Sequence, residues 1–189
     1  MELKKIFIHG RFRYDSLQND IALLQLDQPL ELRPFVRTVC LPEKDEEDLA
    51  IRDKYGIVTG WGVTRALKIG DETAKTDLSK VLKHASLKIQ NDEQCQSNNK
   101  HRFNSTVMFC AGGERGKSDS CKGDSGGAFV REAQRETGKE KRWAWVAAGL
   151  VSWGNGCAQK DRYGYYTRVY PFLDWIEKTM KENSAKKEK

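Results

Sequence analysis

Asp119-Ser120-Cys121-Lys122-Gly123-Asp124-Ser125-Gly126-Gly127 centres one serine in a glycine-rich run. Glycines on both sides of Ser125 leave room for a substrate backbone to approach. Consecutive main-chain N–H groups in such a loop can converge on a developing oxyanion. The pattern suits a nucleophile held on a tight turn. A glycine turn with an incidental serine is the bland alternative, and the rest of the chain has to decide between them.

The run also fits the G-x-S-x-G elbow of α/β-hydrolases, in which the histidine follows the serine. Here His9, His84 and His101 all precede Ser125, which excludes that reading. Working outward, short apolar runs ended by turn residues predict strands at Lys4–His9, Asp20–Leu26, Tyr55–Gly62, Val107–Ala111, Ala128–Arg131, Trp143–Ser152 and Arg162–Val169. A charged loop carrying Gly138 is expected between Arg131 and Trp143, and an acidic loop over Glu43–Asp48. Asn91 is placed to cap a short helix. Tyr170–Glu182 reads as the one convincing helix, with Pro171 in its first turn and Phe172, Trp175, Ile176 and Met180 on one face. Leu78–Ile89 has apolar residues at helical spacing, so periodicity alone favours helix there. Many short strands with glycine turns and a terminal helix indicate an all-β fold.

With its neighbours, the Ser125 stretch resembles the active-site loop of the chymotrypsin/trypsin family of serine proteases. Further motifs follow in the family's order. Asn19-Asp20-Ile21-Ala22-Leu23-Leu24 resembles the segment carrying the triad aspartate, and Gly60-Trp61-Gly62 the family's tryptophan turn. Gly149-Leu150-Val151-Ser152-Trp153-Gly154 resembles the strand that pairs with substrate backbone. Gly164-Tyr165-Tyr166-Thr167-Arg168-Val169 resembles the strand closing the specificity pocket, and Trp175-Ile176 fits the final helix. The resemblance implies two six-stranded Greek-key barrels with a C-terminal helix, the N-terminal barrel incomplete. Residues 1–181 would form the protease domain and 182–189 a basic tail. It also makes Leu78–Ile89 a strand.

Residue by residue, the resemblance makes Ser125 the nucleophile and Asp20 the buried acid that orients an imidazole. Gly123 and Ser125 would supply the oxyanion-hole N–H groups. Asp119 would be the floor of the primary pocket, pairing with a substrate Arg or Lys, with Gly154 and Gly164 at its walls and Ser152 and Trp153 along the substrate. Asp124 matches the carboxylate that receives a new N-terminal ammonium on activation. No cofactor or metal is implied. Cys95–Cys110 and Cys121–Cys157 resemble two family disulfides. Cys40 then has no partner, and its family counterpart in complement and clotting proteases joins the domain to an upstream chain; Ala128 after Gly127 also resembles that branch.

Composition agrees with a globular, loop-rich domain: 38% hydrophobic residues and 16 glycines in 189 residues. The net charge of +6 gathers in Lys181–Lys189 and Arg131–Arg142 without base-stacking aromatics between basic residues, so a nucleic-acid partner is not expected. Salt-dependent DNA binding would revive that reading. The longest apolar stretch, Trp143–Trp153, is too short to cross a membrane. Five cysteines without close CxxC pairs suit disulfides rather than zinc, and hence a secreted, extracellular protein.

No secretory signal opens the sequence, and nothing like the family's Ala-Ala-His-Cys motif occurs. His9 is the only histidine before Asp20 and matches a non-catalytic segment; all three histidines are expected at the surface. The chain is therefore expected to be an N-terminally truncated serine endopeptidase, cleaving protein substrates after Arg or Lys by acyl-enzyme chemistry, and inactive in the form given. The alternative is a non-catalytic homologue that binds a protein through the old cleft.

Overall fold

The computed structural model describes residues 2–44, 49, 53–65, 68, 78–97, 99, 102–112, 118–137 and 140–184. Strands β1 (Leu3–Ile8) and β2 (Ala22–Leu26) form an antiparallel ribbon, with Ile8 opposite Ala22 and Leu3 opposite Leu26. Six further strands close a barrel: β3 (Tyr55–Gly60), β4 (Lys83–Ile89), β5 (Met108–Gly112), β6 (Ala128–Thr137), β7 (Glu140–Gly154) and β8 (Gly164–Arg168). Their order around the barrel is β3-β4-β5-β8-β7-β6, every pair antiparallel. Short helix α1 (Asp92–Ser97) precedes β5, and a 3-10 turn (Tyr170–Phe172) leads into α2 (Leu173–Ser184). The all-β reading holds, with one closed six-stranded barrel and a terminal helix. The first half contributes a two-stranded ribbon among the described residues.

The barrel core is aromatic. Phe109, Phe129 and Tyr166 meet with ring centroids 5.1 Å apart in every pair, and all are essentially solvent-free. Each buried ring contributes roughly 2–3 kcal/mol by removal of apolar surface from water. Gly56 and Gly149 make this packing fit, because a Cβ at either would lie 2.0 Å from the Phe129 ring or 2.5 Å from the Phe109 ring.

β4 is a strand despite its helical spacing. Leu87 and Ile89 alternate inward with Lys88 between them, whereas Val81 and Leu82 are exposed. The barrel wall overrides the local period. The predicted charged loop between β6 and β7 is instead a long hairpin, in register out to Thr137 opposite Glu140. Ala133 is buried on its inner face, while Trp143 is two-thirds exposed. Arg131 donates to the carbonyls of Tyr55 and Leu49, and Arg135 to that of Leu41; these bonds tie the hairpin to the segment joining the two halves. Asn91 does cap α1: its Oδ1 accepts from the Gln94 N–H at 2.8 Å.

Ile21, Val169, Phe172 and Ile176 form the seam that joins α2 to the start of β2. Met180, expected on the same face, is 57% exposed and lines a cavity with Leu23, Leu24 and Gln25 of β2. α2 runs two residues past Glu182, to Ser184. Residues 45–48 of the acidic loop predicted over Glu43–Asp48, together with Gly138 and His101, lie outside the described residues.

Candidate active site

The loop 118–127 leaves β5 and enters β6, and the Cys121–Cys157 disulfide fastens it to the β7–β8 connection. Cys95–Cys110 forms as well, tying α1 to β5. Asp124 organises the loop from within. Its Oδ1 accepts from the Gly62 N–H at 2.8 Å and its Oδ2 from the Cys121 N–H at 2.9 Å. The glycines of Gly60-Trp61-Gly62 make space for it: a Cβ at Gly60 would lie 2.0 Å from Oδ1, and one at Gly62 2.4 Å from Oδ2. Gly123 and Gly126 take φ of +98° and +80°, a backbone region open mainly to glycine.

This folding leaves Ser125 exposed at a cavity of about 320 Å³ that it lines with Ser152, Trp153, Gly154, Gly164 and Lys122. Among the described residues, the N–H groups of Gly123 and Ser125 have no intramolecular acceptor. Asp20 reaches the site through Ser152, whose hydroxyl donates to its Oδ2 at 2.6 Å. The Thr167 hydroxyl donates to the Asp20 carbonyl at 2.9 Å. Asp20 is half-buried and held by β7 and β8 although it lies just before β2.

Asp119 takes a different position from the other predicted site residues. Its side chain lines a neighbouring cavity of about 290 Å³, together with Asp124, Gly60, Gly62 and His84. Cys121 and Cys157 line both cavities. Both Asp119 oxygens are engaged, Oδ1 by the Ser120 N–H at 2.8 Å and Oδ2 by the Ala158 N–H at 3.1 Å. Gly164 is where it approaches the Ser125 cavity, since a Cβ there would lie 3.0 Å from Asp119 Oδ1 and 3.1 Å from Ser120 Oγ and the Tyr166 hydroxyl. Burial pushes the Asp119 carboxyl up to about 7; the two backbone N–H groups pull it down and the nearby Asp124 adds to the rise. Burial likewise raises the Tyr166 phenol, which shares a 2.8 Å hydrogen bond with Ser120.

Neither His9 nor His84 lines the Ser125 cavity. His9 is not a surface residue as expected: it is half-buried, edge-on to Phe172 and Trp175 with centroids 5.0 Å from each. Its Nδ1 accepts from the Arg11 N–H, and burial, then Arg11, lowers its pKa. His84 is exposed on β4, as expected.

Sequence reasoning missed the brace behind the end of β7. Trp153 stacks on Tyr165 at 3.8 Å with the rings 2° from parallel. The Tyr165 hydroxyl donates to the Cys95 carbonyl and accepts from Asn99, whose Oδ1 accepts from Asn155 at 2.9 Å. Nothing in the spacing of these residues announces that they meet.

The structure thus brings a serine on a glycine loop to the same cavity as Ser152, whose hydroxyl is bonded to the Asp20 carboxylate. The family model described as Trypsin matches residues 1–176, a span reaching from β1 into α2. The chain belongs to the trypsin family of serine proteases.

Proposed function

We propose that this domain belongs to a secreted serine endopeptidase that cleaves protein substrates after Arg or Lys. Ser125 Oγ attacks the scissile carbonyl and the Gly123 and Ser125 N–H groups hold the oxyanion, giving an acyl-enzyme that water then releases. Asp20 orients the imidazole that takes the serine proton. Asp119 receives the substrate cation past Gly164, with Gly154 leaving the opposite wall open, while Ser152 and Trp153 align the substrate backbone. The observation that carries this reading is the 2.6 Å bond from Ser152, beside Ser125, to Asp20.

His9 is held against α2 and serves no proton transfer at Ser125. Among the described residues no imidazole lines the Ser125 cavity, and a serine hydroxyl without a base is a poor nucleophile at neutral pH, so residues 1–189 alone are expected to be inactive on peptides. That same observation favours a second reading, a non-catalytic homologue that binds a protein in the cleft. Native protein containing these residues, purified by antibody, tests both. Hydrolysis confined to Arg- and Lys-amide substrates supports the enzyme. Saturable benzamidine binding without hydrolysis supports the binder.

In the oxidising compartment that the two disulfides suit, exposed Cys40, a free thiol, pairs with a cysteine of another chain. A reduction-sensitive band on denaturing gels, lost in Cys40→Ser, checks this. Asp124 is the receptor for an ammonium entering the 290 Å³ cavity, where it exchanges the Gly62 and Cys121 N–H groups for a full charge.

A further inference from the structure

Asn104-Ser105-Thr106 is the only place in the sequence where an asparagine is followed two residues later by serine or threonine. The intervening residue is not proline, so the tripeptide meets the N-x-S/T requirement for attachment of an N-linked glycan. Such a triplet is functional only where the folded chain can carry a bulky polar group, and that is a question for the structure.

Asn104 opens a turn between α1 and β5. Its carbonyl accepts from the Val107 and Met108 N–H groups at 3.1 and 2.9 Å. Buried Phe103 and Met108 anchor the turn on either side, and Arg168 Nε donates to the Ser105 carbonyl at 2.8 Å. Asn104 and Ser105 are half-buried and Thr106 is exposed. The turn is thus rigid, at the surface and outside every strand.

The two ends of the Asn104 amide are held very differently. Oδ1 accepts from the Thr106 hydroxyl at 2.7 Å and from the Thr106 N–H at 3.1 Å. Nδ2, the atom that carries a glycan, has one long contact of 3.4 Å, to Gln18 Oε1. An amide nitrogen has two hydrogens. Replacing one with a sugar leaves the other for Gln18, and Oδ1 keeps both bonds to Thr106. The two bonds that hold the turn run through Oδ1, not through the nitrogen that would be modified.

We propose that Asn104 is an N-glycosylation site, the donor being an oligosaccharide on a lipid pyrophosphate. Nδ2 attacks the anomeric carbon of the first sugar. The bond from that carbon to the pyrophosphate oxygen breaks, the lipid pyrophosphate leaves with the electron pair, and one Nδ2 proton passes to a base of the transferase. The glycan then stands at the seam between the two halves, beside Gln18. This rests on the secreted reading given above.

The test is cell-free translation of the full chain behind a cleavable signal sequence with endoplasmic-reticulum microsomes, where transfer to the nascent chain does not wait on folding. A single mobility shift removed by endoglycosidase is expected in protease-protected wild type. It should vanish in Asn104→Gln and Thr106→Ala and persist in Thr106→Ser. Protected wild-type chain with no shift, or a shift that survives Asn104→Gln, overturns the site. In the native protein, peptide-N-glycosidase should convert Asn104 to aspartate. An unmodified Asn104 in native protein with Cys95–Cys110 and Cys121–Cys157 formed overturns the proposal while sparing the compartment. Native protein with those cysteines reduced defeats the compartment, and the proposal falls with it.

Discussion

The Ser152 hydroxyl donates a 2.6 Å hydrogen bond to Oδ2 of Asp20, across 132 residues of sequence. It joins the strand lining the Ser125 cavity to a residue just ahead of β2, and with the bond from the Thr167 hydroxyl to the Asp20 carbonyl it ties that segment to the barrel. Hydrogen bonds to charged groups are worth about 1.5–3 kcal/mol net. Ser152→Ala should therefore lower unfolding free energy by about 2 kcal/mol at pH 7, measured by urea denaturation. A change below ~0.5 kcal/mol would show that Asp20 is held elsewhere.

Asp119, with its carboxyl raised to about 7 and proposed above to receive a cation, should couple both ligand binding and stability to pH. A cationic ligand needs the carboxylate, so the benzamidine dissociation constant should fall about tenfold per pH unit from 5 to 7 and level off above. Stability runs the other way. The unfolded carboxyl ionises near 3.8 and the folded one near 7, so the favourable linkage is full below pH 4 and is lost as pH rises through 7. Asp119→Asn should raise the melting temperature more at pH 8 than at pH 5. An equal rise at both would contradict the burial of the charge.

Gly60 makes room for Asp124, and Asp124 cannot swing aside without giving up Gly62 and Cys121. Gly60→Ala should cost about 2–3 kcal/mol through the lost hydrogen bonds. In an Asp124→Ala background the same substitution should cost much less. A double-mutant cycle in denaturant gives the coupling, and additive effects would show that the two positions act independently.

The Asn155–Asn99–Tyr165 brace sits behind Trp153. Asn99→Ala should weaken binding of a tripeptidyl-arginine carboxylate about tenfold, while benzamidine, which fills only the primary pocket, binds unchanged. Equal loss for both ligands in calorimetric titration would mean general damage to the loop.

The chemistry along single loops was legible in the residues themselves. Ser125 among its glycines and the glycines bracketing Trp61 mark tight turns and close backbone approach within a few positions, because these demand particular residue types, whereas Asp20 takes its reading from the other motifs along the chain. The four paired cysteines were assigned by resemblance, and the structure pairs them that way.

What lay beyond the sequence was everything set by packing between distant segments. Local period favoured a helix at Leu78–Ile89, but closing the barrel needs a strand there, and the burial of Leu87 and Ile89 outweighs propensity. The hairpin over Arg131–Arg142 reads as a charged loop because its exposed faces are polar; only pairing with a partner strand makes it β. His9 looked like a surface residue until α2 covered it. Most tellingly, residues separated by dozens of positions, Asn99 and Asn155, Asp20 and Ser152, meet only because the closed barrel and α2 bring their strands and loops side by side. Residue identity determined which groups could do chemistry; tertiary packing, which strips water and fixes neighbours, decided which of them face one cavity and which are held away from it.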